Sequence, residues 1–103
     1  MENVYFALIS FIKGRNMGAQ EGMICCVHLL KVSVYLFDSQ WPYEEFVSIV
    51  PNTKTPNTTE FIITMRKGAK KTDTMRFSTD HRADLLTEAL VNWLLSNYFI
   101  QVC

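Results

Sequence analysis

The chain has 103 residues, which is enough for one domain, and its ten Lys and Arg residues balance its ten Asp and Glu residues. This zero net charge argues against a nucleic-acid partner, because nucleic-acid-binding proteins normally carry a marked basic excess. The three cysteines do not suit a disulfide framework, which favours a reducing compartment. We therefore expect one small cytoplasmic domain.

Two apolar segments lead the chain. Val4–Ile12 fits a strand or a helix, since a short apolar run does not discriminate between them. Residues 14–22 predict a loop, and Lys31–Phe37 predicts a strand. Neither Val4–Ile12 nor Met23–Phe37 predicts a transmembrane segment, because the first is too short and a histidine and a lysine interrupt the second.

The middle of the chain predicts three strands. They cover Glu44–Val50, Glu60–Lys67 and Thr72–Ser78, and a loop rich in Pro, Asn and Thr lies between the first two. Gly68 marks a turn, so the last two strands form an antiparallel hairpin. Three apolar residues alternate along Glu60–Lys67 and share one face: Phe61, Ile63 and Met65.

A helix is predicted next, because Ser78, Thr79 or Asp80 can cap its first turn, and it extends to about Tyr98. Several antiparallel strands followed by one amphipathic helix predict an α+β fold, either a small bent sheet or an incomplete barrel closed by the helix. A pleckstrin-homology-like domain is one of the folds that fit this outline. Six apolar residues recur at helical spacing and predict one face: Leu85, Leu86, Ala89, Leu90, Trp93 and Leu94.

The residue types that carry catalysis or bind metals do not form a recognisable set. Cys25, Cys26 and His28 lack a second ligand pair for tetrahedral zinc, and cysteines in an apolar run are more often buried. The only candidate bases are His28, in an apolar run, and His81, at a helix start. No glycine-rich phosphate loop or nucleophile elbow occurs. We expect no enzyme activity, no cofactor and no metal site.

Arg66, Lys67, Lys70 and Lys71 place four cations within six residues around the predicted turn. A basic hairpin tip can contact an anionic lipid headgroup, at about 1 kcal/mol per cation near a membrane surface. The same cations can instead keep a hairpin tip hydrated and block edge pairing. The tip contains no aromatic residue, so the residues alone favour a solvated turn over a lipid or nucleic-acid site.

Specific motifs lie within residues 41–90: Trp41-Pro42-Tyr43 before a strand, Arg66-Lys67-Gly68 at a turn, and Arg76-Phe77-Ser78 before a helix that contains Leu86-Thr87-Glu88-Ala89-Leu90. This segment resembles the N-terminal region of the large endosomal J-domain co-chaperone receptor-mediated endocytosis eight and of its plant relative in vacuolar trafficking. The resemblance implies a pleckstrin-homology-like binding module, peripheral to early endosomes. The partners that it implies are membranes containing phosphatidylinositol 3-phosphate, endosomal proteins or the rest of a larger chain.

Two parts of the family pattern are missing. The family's lipid-binding segment, in which Trp and Tyr are interleaved with Lys and Arg, has no counterpart upstream of Trp41, and the His-Pro-Asp tripeptide of a J-domain is absent. Two functions therefore stay open. One is a binding module with Arg66, Lys67, Lys70 and Lys71 as headgroup contacts, and the other is a structural or protein-interaction piece without lipid affinity.

The ends of the chain do not resemble the family. Residues 1–40 and 91–103 are apolar, and the last thirteen residues carry no charge. We therefore expect a single domain over residues 1–103 with a family-like core at 41–90 and divergent flanks. We expect the sheet to be incomplete and the chain to be a fragment, with one coding exon flanked by translated non-coding sequence.

Overall fold

A computed structural model describes residues 4–14, 20–30, 33–36, 39–54, 58–67 and 70–102, with the backbone alone at residues 35, 39, 67 and 97–102. Within this part, seven strands form one sheet and one α-helix follows them. The strands are β1 (Val4–Lys13), β2 (Ile24–Leu29), β3 (Ser33–Leu36), β4 (Ser39–Pro42), β5 (Phe46–Pro51), β6 (Glu60–Lys67) and β7 (Lys71–Ser78). A 3-10 helix, Tyr43–Glu45, joins β4 to β5, and α1 covers Arg82–Val102.

The sheet is open, and its neighbouring strands are all antiparallel, in the order β4-β3-β2-β1-β7-β6-β5. This arrangement confirms the predicted α+β, pleckstrin-homology-like class. The N-terminal segment, whose state the pattern left open, forms β1. The predicted strand Lys31–Phe37 appears as β3, while residues 31, 32 and 37 lie outside the described part.

β1 is shared between the two halves of the sheet. Leu8 is paired both with Ile24 of β2 and with Ser78 of β7. The first half of β1 is therefore paired with β2, and the second half is paired with β7. The register shifts between Ile9 and Phe11, which is the position of a β-bulge. A bulge bends its strand, so the two halves of the sheet can turn their inner faces toward one core.

The core is formed by alternate residues of the strands and by one face of α1. Phe61 and Phe77, directly opposite each other on β6 and β7, stack with their ring centroids 5.3 Å apart. The predicted inner face of β6 is confirmed, since all three of its residues are buried. The largest fully buried side chains are Tyr43, Phe61, Phe77, Ile9, Leu29, Leu36, Ile63, Met65, Leu85, Val27, Val34 and Cys25.

A short turn at Thr79 precedes α1. The Thr79 Oγ1 accepts a hydrogen bond from the backbone N–H of His81 across 3.3 Å, just before the helix begins at Arg82. Leu85 and Ala89 then face the sheet and are buried. A hydrogen bond from the Tyr5 hydroxyl of β1 to the Glu88 carboxylate ties the flank of α1 to the opposite part of the sheet.

The predicted apolar face of α1 is buried only in its N-terminal part, and its C-terminal part is exposed. Leu90 is 56% exposed and Leu94 is 52% exposed. The helix packs on β5 and the 3-10 helix along a narrow stripe, and that stripe continues through the half-buried polar residues Asn92 and Ser96. Because no strand of the described sheet flanks α1 beyond this stripe, its other apolar side chains stay in contact with solvent.

Candidate functional site: a basic hairpin tip

The four predicted cations lie at the end of the β6–β7 hairpin. Lys67 is directly opposite Lys71, and Arg66 is opposite Thr72. Lys70 and Lys71 are exposed at the turn where the hairpin extends past the core. The side chain of Lys67 lies outside the described part of the chain, as do the predicted turn residues Gly68 and Ala69.

Arg66 belongs to the outer face of the sheet. Side chains alternate along a strand, and Met65, its neighbour on β6, is buried on the inner face. The Arg66 Nε–H donates a hydrogen bond to the backbone carbonyl of Glu44 across 3.2 Å. This contact joins the hairpin to the 3-10 helix that precedes β5. Arg66 therefore stabilises the packing of these two elements in addition to carrying a positive charge.

Lys71 belongs to the other face. It alternates with the buried residues Asp73 and Met75 along β7, but it is exposed because it lies beyond the end of the core. The structure therefore places Arg66 and Lys71 on opposite faces of the hairpin. Lys70 and Lys71 form the exposed tip, while Arg66 contributes to the outer face of the hairpin.

Lys13 is a further cation near the tip that the sequence pattern did not reveal. It ends β1, is exposed, and pairs with Thr74 of β7. The bulge between Ile9 and Phe11 places Lys13 on the outer face, the same face as Arg66. No local signal predicts this neighbour, because the pairing depends on a strand far away in sequence.

A buried carboxyl group lies just below the tip. Asp73 is only 2% exposed, and a Cβ atom added at Gly14 would overlap its carboxylate. Gly14 has a φ of +99°, in the region that favours glycine, so the chain passes close over Asp73 where β1 ends. The protein's own carboxyl group thus fills the space between the end of β1 and β7, and an anion would meet the tip from its solvent side.

The cysteines do not form a metal site with His28 in the described residues. Cys25 is buried against the core, as predicted, but Cys26 is exposed, so the prediction of two buried cysteines is wrong for Cys26. The reason is strand alternation, since consecutive residues of β2 point to opposite faces. Cys103 lies outside the described part. No cluster of three or more metal-ligating side chains occurs among the described residues.

The described part of the chain also contains no helix with both the length and the apolar character that crossing a bilayer requires. The exposed cations belong to the hairpin tip and the exposed apolar residues belong to α1, so the two are separate features of the protein surface.

Comparison with known families supports the resemblance. The family model described as the DNAJ protein RME-8 N-terminal domain matches residues 30–94, which is more than half of the chain. The match is wider than the predicted segment 41–90, and it includes the whole β6–β7 hairpin, while β1 and β2 precede it. No curated protein matches the chain.

Proposed function

The chain belongs to the family of DNAJ protein RME-8 N-terminal domains, and from this premise we propose that it is a non-catalytic binding module of an endosomal trafficking J-domain protein. We place it at the cytoplasmic surface of early endosomes. Its partner there is a membrane that contains phosphatidylinositol 3-phosphate, and its contact is the β6–β7 tip.

The observation that carries this proposal is the exposure of Lys70 and Lys71 together at the end of a projecting hairpin. Two cations that reach past the core can approach a flat anionic surface without rearrangement of the fold. Each contributes about 1 kcal/mol of attraction near an anionic leaflet. Lys13 and Arg66, on the outer face of the neighbouring strands, add to the positive potential.

The position of Asp73 favours a surface contact over a deep headgroup pocket. The Asp73 carboxyl group fills the space under the tip and would repel a phosphate that entered there. The attraction therefore comes from solvent-exposed charges, which salt screens strongly. We expect membrane binding that weakens steeply as the salt concentration rises.

The test is co-sedimentation of the intact chain with liposomes that contain phosphatidylinositol 3-phosphate, compared with liposomes that contain other phosphoinositides or phosphatidylserine. Lys70→Ala/Lys71→Ala should weaken binding about thirty-fold, since it removes about 2 kcal/mol of attraction. The single variants Lys71→Ala and Lys54→Ala form a matched pair, in which Lys54→Ala is the control. Lys54 is exposed beyond β5, at the other end of the β5–β6 pair. Circular dichroism confirms that each variant is folded.

Equal binding by the wild-type chain and the double variant would overturn the lipid contact at the tip. Binding lost equally in Lys71→Ala and Lys54→Ala would also overturn it, because it would reflect net charge and not position. A preference for phosphatidylinositol 3-phosphate over equally charged lipids supports the endosomal assignment.

A second candidate function is a protein-interaction piece without lipid affinity. The outer face of the β1–β2 hairpin favours it, since Phe6 is 65% exposed and Ile24 is 60% exposed. Val4 and Leu8 extend the same face on β1. A contiguous apolar patch of this kind marks an interaction surface. This function predicts no sedimentation with liposomes and an association that salt does not weaken.

A further inference from the structure

Thr72 lies at the exposed end of the β6–β7 hairpin, next to the basic tip. It is the second residue of β7 and is exposed, while the next residue, Asp73, is buried. Side chains alternate along a strand, so Thr72 belongs to the outer face of the sheet, together with Arg66, which is directly opposite on β6. Thr72 therefore presents its side chain to solvent beside the cations of the tip.

The residues before Thr72 distinguish it from the other exposed threonines of the described part of the chain, which are Thr53, Thr58 and Thr87. Lys70 and Lys71 come directly before Thr72, whereas the two residues before each of the other three carry no charge. Protein kinases select their substrates partly by such charge patterns. The sequence around Thr72 therefore fits a kinase that prefers basic residues before the acceptor hydroxyl group.

The backbone pairing near Thr72 is limited. In the described residues, the pairing of β1 with β7 reaches only to Lys13 and Thr74, and it stops short of Thr72. On the other side of β7, Lys67 is directly opposite Lys71, and like charges directly opposite each other destabilise an antiparallel pair. This end of the hairpin can therefore open locally at low cost, so that a kinase can reach Thr72.

Cations only slightly outnumber carboxylates at this end of the sheet. The charged residues that the structure describes here are the cations Lys13, Arg66, Lys67, Lys70 and Lys71 and the carboxylates Glu21, Glu44, Glu45 and Asp73. The cations exceed the carboxylates by one, or by two when Arg15, outside the described residues, is included. A phosphothreonine carries a charge of about −1.5 to −2 at pH 7, which is enough to cancel this excess.

We propose that Thr72 is the phosphorylation site of a kinase that selects basic substrates, and that its phosphate weakens the membrane contact of the hairpin tip. The inference rests on the proposed function, because it assigns a regulation to the same tip. The phosphate would lie opposite Arg66 and next to Lys71, where its charge reduces the attraction of an anionic leaflet.

The reaction transfers the γ-phosphoryl group of ATP to the Thr72 hydroxyl group. A bond forms between Thr72 Oγ1 and the γ-phosphorus, and the bond from that phosphorus to the oxygen that bridges it to the β-phosphorus breaks. ADP leaves with the electron pair of the broken bond. The hydroxyl proton passes to the catalytic aspartate of the kinase.

The first measurement is the modification itself, which requires no lipid. The intact chain is incubated with ATP and the catalytic domain of protein kinase C, an enzyme that accepts threonines after basic residues, and tandem mass spectrometry locates the phosphate. Thr72 should be phosphorylated at least about tenfold faster than Thr53, Thr58 or Thr87.

Two matched variants test the role of the preceding cations. Lys70→Ala/Lys71→Ala should slow the phosphorylation of Thr72 about tenfold or more, because it removes the charge pattern that the kinase selects. Lys54→Ala, which removes an exposed cation at the other end of the β5–β6 pair, should not change this rate.

The second measurement compares membrane binding before and after phosphorylation. The phosphorylated chain should bind liposomes that contain phosphatidylinositol 3-phosphate about thirty-fold more weakly than the untreated chain, since the phosphate offsets about two cations. Thr72→Ala, treated with the same kinase, is the control, and its binding should change less than about twofold.

The possible results separate this inference from the proposed function. No phosphate at Thr72, or equal rates at Thr72 and Thr87, would overturn the modification site. If the untreated chain binds the liposomes and the phosphorylated chain binds equally well, the regulation is wrong and the lipid contact remains. If the untreated chain does not bind, the proposed lipid contact fails, and its regulation fails with it.

Discussion

The side-chain amide of Asn92 donates a hydrogen bond to the hydroxyl oxygen of Tyr43 across 3.2 Å, and both side chains donate to the backbone carbonyl of Leu30. The three residues belong to α1, to the 3-10 helix and to the chain that leaves β2. This small network holds α1 against the sheet. It also gives a structural reason for the tyrosine of the Trp-Pro-Tyr motif, which is buried at the centre of these contacts.

We predict that Tyr43→Phe lowers the free energy of unfolding by about 1 to 2 kcal/mol, because the Leu30 carbonyl and the Asn92 amide each lose a buried partner. Asn92→Ala should cost about the same. The measurement is urea denaturation of both single variants and of the double variant. The two costs should not add, and strictly additive costs would contradict the network.

The same tyrosine predicts a dependence of stability on pH. Burial raises the pKa of the Tyr43 phenol above its ordinary value of 10.0, the hydrogen bond from Asn92 lowers the pKa, and the Glu88 carboxylate raises it. The folded protein therefore keeps the phenolic proton at a pH where the unfolded chain loses it. The unfolded state then binds fewer protons, so the free energy of unfolding falls as the pH rises.

This contribution is complete below about pH 10 and is lost as the pH rises through the folded-state pKa of Tyr43. Denaturation midpoints of the wild type and Tyr43→Phe between about pH 8 and pH 11 test it, since the other titrating groups are common to both proteins. The wild type should lose more stability over this range than Tyr43→Phe. Identical slopes would contradict the shift.

The hairpin β6–β7 could be predicted in detail from the sequence. The boundaries of β6 agree with the prediction at both ends, and Phe61, Ile63 and Met65 lie on its inner face as expected. Apolar residues at every second position, between a proline-rich loop and a glycine turn, define such a strand locally. Residues 44 and 45 were assigned to a strand but form the 3-10 helix, because short acidic turns before a strand leave no periodic signal.

Other features depend on contacts that are distant in sequence. The outward-facing residues of β1 are apolar as well as the inward-facing ones, so its pattern did not distinguish strand from helix. The neighbourhood of Lys13, Gly14 and Asp73 follows from the pairing of β1 with β7, which no local motif encodes. The exposure of Leu90 and Leu94 depends on how many elements cover α1, whereas periodicity indicates only which residues share a face.

The stacked pair Phe61–Phe77 gives a prediction about the core. Both rings are fully buried, so Phe77→Leu should lower the free energy of unfolding by about 1 to 2 kcal/mol through lost packing and lost ring contact. Phe6→Leu, on the exposed face of β1, is the control and should change stability by less than about 0.5 kcal/mol. Thermal or urea unfolding measures both. Similar costs for the two variants would contradict the assigned faces of β1 and β7.

The two glycines with positive φ separate backbone strain from steric overlap. Gly22 has a φ of +90° and no atom within 4 Å of an added Cβ, so Gly22→Ala should cost about 1 kcal/mol from its backbone conformation alone. Gly14 has a similar φ of +99°, but its added Cβ would overlap the Asp73 carboxylate. Gly14→Ala should therefore cost about 1 to 3 kcal/mol more than Gly22→Ala.

A double-mutant cycle isolates the overlap. In an Asp73→Ala background the carboxylate is gone, so Gly14→Ala should cost no more than Gly22→Ala does in the same background. Urea denaturation of the variants gives these free energies. If Gly14→Ala and Gly22→Ala destabilise the wild type equally, the Asp73 carboxyl group moves aside without cost, and the space below the basic tip is then open to a ligand.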